Sequence, residues 1–99
     1  MEYPHMMRVR QTFDDTTLEN VSEEINTQLT NLALQTAVKP GLTVAVACSS
    51  RCINNYASIV KAVISHLAQL RLAQFIIPAM GSHGAATAAG QKLVLAHLG

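Results

Sequence analysis

Residues 42–48 read LTVAVAC. This stretch is a continuous apolar run, partly β-branched, with the length of a strand and no polar alternation, which fits a strand buried on both faces. The natural setting for such a strand is a parallel sheet covered by helices. Immediately before it, Lys39-Pro40-Gly41 is a strong break, because proline cannot continue a helix and glycine takes up turn geometry cheaply.

Working outward, SSRCINN (49–55) is polar and loop-like, and Asn54 or Asn55 can cap the helix that follows. That helix, YASIVKAVISHLAQLRL (56–72), carries Ile59, Val63, Leu67 and Leu70 on one stripe, widened by Val60 and Ile64. AQFIIPAM (73–80) reads as the next buried strand, and Pro78 near its end marks where ladder pairing stops. In ATAAGQKLVLAHL (86–98), good helix formers carry Leu93, Val94 and Leu98. Gly90 inside it would cost about 1 kcal/mol relative to alanine, so it marks either close packing or a later helix start.

On the N-terminal side, TTLENVSEEINTQLTNLAL (16–34) places Leu18, Val21, Ile25, Leu29 and Leu32 along one helical face. Thr16 with Glu19 three residues later fits a capping box at its start. Earlier still, MMRVRQTF (6–13) alternates loosely and ends at Asp14-Asp15, a pattern that predicts a short strand. The expected order is strand, helix, strand, helix, strand, helix. It predicts an α/β fold, part of a three-layer Rossmann-like domain with a short parallel sheet flanked by helices, residues 1–99 forming one domain.

Composition narrows the function classes. Of 99 residues, 13% are charged and the net charge is +1, with the basic residues scattered, so neither nucleic acid nor an acidic membrane surface is an expected partner. Aromatic residues are too few for a base-stacking platform. No run approaches the ~20 apolar residues of a membrane span, and MEYPHMMRVR lacks the features of a secretory signal, which makes the cytoplasm the expected compartment. Cys48 and Cys52 have no histidine beside them and no second ligand pair, so the expectation is two small, partly buried thiols rather than a zinc site or a disulfide.

In open α/β folds ligands gather beyond the carboxyl ends of the strands. Two loops fall there, CSSRCIN (48–54) and MGSHGAAT (80–87), so parallel neighbouring strands would bring Arg51 and His83 to one rim. A guanidinium grips carboxylate or phosphate, and an imidazole transfers protons near neutral pH. Gly81 and Gly84 give the backbone room to approach a ligand, Ser82 and Thr87 add hydroxyls, and N–H groups at the start of the last helix can receive an anion. The loop matches neither the P-loop nor the dinucleotide GxGxxG pattern. Taken alone, His83 is either a loop histidine bonding the backbone or a proton-transfer group, and Arg51 either a solvated surface side chain or an anion clamp. His5, in the terminus, and His66 and His97, on amphipathic helices, read as structural or solvent-exposed.

PAMGSHGAATAAGQ (78–91), with VAVACSSRCINNYASIVKAV (44–63) upstream, resembles the N-terminal domain of the nickel-dependent lactate racemase family and its relatives. Those relatives read close to PAMGSHGGATAEGQ after a strand that ends in a GSRGI-like loop. The resemblance covers about residues 38 to 99. It implies an N-terminal fragment of a much longer two-domain enzyme, a 2-hydroxy acid racemase or epimerase that moves a hydride to a nickel-pincer nucleotide and back. By that resemblance His83 matches the first of two acid–base histidines and Arg51 an arginine close to substrate or cofactor. Ser50 sits at a neighbouring loop position, and Ser50, Gly81, Ser82 and Gly84 are the residues expected to line the cofactor. The tethering lysine and the second histidine belong to the missing C-terminal region, so the isolated chain is expected to be inactive, with no metal ligand of its own. The chain departs from the family in reading SSR where racemases carry an acidic residue, in Cys48 and Cys52 where relatives often have glycine, and in Ala85 and Ala88 for a glycine and a glutamate. Two other expectations stand beside this one: a non-catalytic phosphate- or nucleotide-binding α/β module, and a truncated product that self-associates through an exposed interface.

Overall fold

A computed structural model describes residues 1–51 and 53–99. Two strands, β1 (Thr43–Cys48) and β2 (Ala73–Pro78), pair in parallel, in register from Thr43 opposite Ala73 to Cys48 opposite Pro78. Helix α2 (Tyr56–Gln69) is the crossover between them. Helix α1 (Val21–Asn31) precedes β1 and packs on α2, and α3 (Ala88–Leu98) follows β2. The architecture is thus α/β around a two-stranded parallel sheet.

The break at Lys39-Pro40-Gly41 works as expected. Gly41 turns at φ +87°, and its N–H donates to the Arg71 carbonyl at 2.9 Å, while the Ala73 N–H donates to the Leu42 carbonyl at 2.9 Å. These two bonds align the starts of the strands. The α2 stripe is also as the periodicity predicts, with Leu67 buried and Ile59, Val60, Val63, Ile64 and Leu70 half-buried.

Strand burial differs from expectation. Val44 and Val46 are half-buried and Cys48 is buried on one face, but Thr43, Ala45 and Ala47 on the other are exposed. Phe75 and Ile77 lie at register positions on that same open face and are 49% and 38% exposed. Among the described residues the sheet is covered on one side only: α2 and α3 both pack on β2 and meet around the side of Cys48, Ile76 and Pro78, and α1 packs on α2. An uninterrupted apolar run records suitability for burial on both faces, not the presence of a second layer. Even the covered side is loosely filled: an apolar cavity of about 530 Å³ opens between α2, α3, Ile76 and Pro78.

Three local expectations are corrected. Residues 6–13 form no strand, since an alternating segment holds that shape only when a neighbour supplies its ladder bonds. Thr16 and Glu19 do not cap α1. Instead Thr16 donates through its N–H (3.0 Å) and its hydroxyl (2.5 Å) to the Asp14 carboxylate, and Asn20 caps the helix by accepting the Glu23 N–H at 3.1 Å. Glu23 and Glu24 in the first turn add favourable charge at the helix N-terminus, and Leu18, before it, is exposed. Finally, Asn55 occupies the N-terminal boundary of α2 at φ 55° but makes no side-chain cap, while Asn54 Oδ1 accepts the Asn55 N–H. The expected order therefore loses its first strand and becomes helix, strand, helix, strand, helix.

Candidate functional site: the Ser50–His83 rim

Parallel pairing of β1 and β2 puts the loops after both strands on one edge of the sheet. The first loop carries Ser49, Ser50 and Arg51, and the second runs from Met80 to Thr87. Across this edge the Ser50 hydroxyl is hydrogen-bonded to His83 Nδ1, and both residues are half-buried. Arg51 stands exposed beside Ser50. The rim thus brings Ser50 and His83 into contact and leaves Arg51 facing solvent on the same loop.

Each partner is held by its own backbone anchors. The Ser49 N–H donates to the Tyr56 hydroxyl at 2.6 Å, tying the first loop to the start of α2. In the second loop Met80 is buried, the His83 N–H donates to the Met80 carbonyl at 3.2 Å, and Gln91 Nε2 donates to the Gly81 carbonyl at 2.8 Å. The reading of the sequence missed Tyr56 and Gln91. Gln91 closes the same PAMGSHGAATAAGQ stretch, and its position was its only signal.

The glycines of the loop serve different ends. Gly84 has φ +62°, and a Cβ there would fall 2.5 Å from the Gln91 nitrogen, so the loop backbone lies directly against α3. Gly90 is the other half of that contact: its added Cβ would stand 2.0 Å from the Gly84 carbonyl oxygen. Close packing is therefore the reason for a glycine inside α3. The helix starts two residues earlier, capped by Thr87, whose Oγ1 accepts the Gly90 N–H at 3.1 Å. Gly81, at φ +58°, has open space around it, and Ser82 beside it is exposed. Ala85 and Ala86 adopt φ of 56° and 54°, a left-handed conformation that costs an L-residue roughly 1–2 kcal/mol.

The other histidines lie elsewhere. His5 is exposed in the N-terminal segment, and His97 Nδ1 bonds the Leu93 carbonyl at 2.8 Å within its own helix. His66 is buried between helices, with Nδ1 3.0 Å from Asn26 Oδ1. Cys48 is a buried free thiol, and the expectation for Cys52 lies outside the described residues. Among the described residues no group of three or more His, Cys, Asp or Glu is placed to hold a metal ion. No helix among them is long and apolar enough to cross a membrane.

Chemically, the rim offers an imidazole, a solvent-exposed arginine on the facing loop, serine hydroxyls and an open glycine backbone at Gly81. This set can bind a small anion and move one proton. No protein-family model matches the chain, and no curated protein or solved structure matches it.

Proposed function

We propose that this chain supplies one wall of the active site of a lactate racemase-like enzyme, a 2-hydroxy acid racemase or epimerase. The observation that carries the reading is the Ser50–His83 contact at the carboxyl edge of two parallel strands, with Arg51 on the same loop. The likeness of residues 78–91 to the racemase family supports it. The fold would then be part of a three-layer Rossmann-like domain, a reading supported by the open sheet face of Ala45, Ala47, Phe75 and Ile77, which such domains cover with a second helical layer.

In this reading Arg51 pairs with the substrate carboxylate, and its charge orients the α-carbon toward the rim. His83 takes the proton of the substrate hydroxyl on one face of the reaction and returns it on the reverse. A nickel-pincer nucleotide, when bound, supplies the hydride acceptor. Ser50, Ser82 and the open Gly81 backbone would hold the polar edge of such a nucleotide, whereas Gly84, expected beside them, is packed against α3 and leaves no room for a ligand there, and the described residues offer no donor set for the metal. The metal and the tethering lysine are assigned to a C-terminal region of the enzyme.

The test is reconstitution: the chain is combined with a family C-terminal region and the nickel cofactor, and racemisation of 2-hydroxy acids is followed by chiral chromatography. Activity is expected only with both parts and is lost with His83→Ala. Undiminished racemisation by the His83→Ala chain would remove that residue from its role.

A second reading has one observation in its favour, the unobstructed Gly81 with exposed Ser82 beside it. It is a phosphate- or nucleotide-binding module without catalysis, and it predicts phosphate-dependent NMR shifts of the Gly81 and Ser82 amides in the chain alone.

A further inference from the structure

We infer that Ser50 is the positioning residue for His83: its hydroxyl oxygen accepts the Nδ1–H and so presents the bare Nε2 lone pair to the ligand. The inference rests on the proton-transfer role proposed above, which selects between the two tautomers, but the tautomer can be read without substrate or cofactor. Among the described residues, the contact at Nδ1 is the one hydrogen bond made by the His83 ring. A hydroxyl can serve that nitrogen as donor or as acceptor, and the choice determines what Nε2 can do.

If Ser50 donated, the neutral ring would carry its proton on Nε2 and could not act as a base there. Protonating such a ring at Nδ1 would also break the bond. If Ser50 accepts, Nδ1–H is present in both the neutral and the cationic ring, and the same bond survives a proton arriving at Nε2 and leaving again. Only this arrangement carries an acid–base cycle at Nε2 without a rearrangement in each turnover.

The surroundings are built to hold this geometry. Ser50 is fixed through the neighbouring Ser49 N–H on Tyr56, and His83 through its own N–H on the buried Met80 and the Gln91 bond to Gly81. The two partners are thus anchored independently, from α2 on one side and from α3 on the other. Their contact is set by the scaffold rather than by either loop alone.

The experiment uses the 99-residue chain with 15N-labelled histidine, the His83 signals being assigned by their loss in His83→Gln. At a pH where the ring is neutral, the expected spectrum has two widely split ring-nitrogen resonances, the protonated one on Nδ1. Ser50→Ala is expected to collapse that splitting toward the average of two exchanging tautomers, while Ser50→Thr, which keeps the hydroxyl, retains it. Circular dichroism of both variants verifies that the fold is kept. A proton found on Nε2 in the unmodified chain, or an unchanged splitting in Ser50→Ala, overturns the inference. Because the readout needs neither substrate nor cofactor, its failure is distinct from failure of the racemase reading. Racemisation that survives His83→Ala would refute that reading while the tautomer assignment stood.

Discussion

Replacing Gly90 by alanine pits two effects of opposite sign against each other. In a helix interior open to solvent the change gains about 1 kcal/mol, because glycine is the costlier residue there. Here the added Cβ would stand 2.0 Å from the Gly84 carbonyl oxygen, 2.7 Å from its carbon and 2.8 Å from Thr87 Oγ1. The nearest of these are backbone atoms, which cannot swing aside as the end of a side chain can. Overpacking of this kind costs roughly 1–3 kcal/mol, and a contact this short with backbone belongs at the upper end. The net expectation is a loss of about 2 kcal/mol, or a fall in melting temperature on the order of 8–16 °C for a domain of this size. Thermal and urea unfolding followed by circular dichroism measure it. A rise in stability by the helix-propensity amount would refute the close approach of the His83 loop to α3. If the loop instead yields by moving away, the same variant should disturb the Ser50–His83 contact, visible in the histidine 15N spectrum.

Ala85→Gly relieves a φ of 56° at an exposed position, and after the added freedom of the unfolded chain it is expected to raise stability by about 0.5 kcal/mol, read as an upward shift of the urea midpoint. Asn26→Leu leaves buried His66 without its partner, and the chain should lose about 1–3 kcal/mol in the same denaturation assay. A value near zero would mean that water replaces the amide. The Asp14 carboxyl is held below its ordinary value by hydrogen bonds from the Thr16 side chain and backbone. Thr16→Val, which removes the hydroxyl, should therefore move the Asp14 titration upward in a carboxyl-carbon NMR series, and an unmoved titration would refute the assignment.

How far the sequence could be read depended on the range of the forces involved. The break at Pro40-Gly41, the α2 stripe and the end of β2 at Pro78 were legible because each is decided within a few residues. The Thr16–Glu19 pattern misled for a related reason: Asp14 offered Thr16 a nearer acceptor, and Asn20 was free to cap in its place. Residues 6–13 carry strand character, but a strand also needs a neighbour, and no pattern internal to those residues supplies one. At the site, His83 stood out through its glycine flanks. Its contact with Ser50, 33 residues away, was not readable, because it depends on the register of two strands. The clamps from Tyr56 and Gln91 were hidden for the same reason.

Although the strand pattern of residues 6–13 is not realised, the turns, the helices, the two paired strands, and the placing of an imidazole and a guanidinium on loops that follow apolar strands were legible locally in the sequence by itself. Local backbone preferences and side-chain periodicity carry that much. Tertiary structure decided that those loops share one edge, that His83 meets Ser50 through Nδ1, that Gly84 and Gly90 are needed for backbone to lie on backbone, and that one face of the sheet is open. These depend on which surfaces pack together, and packing sums contacts between residues far apart in the chain, which a local pattern does not encode.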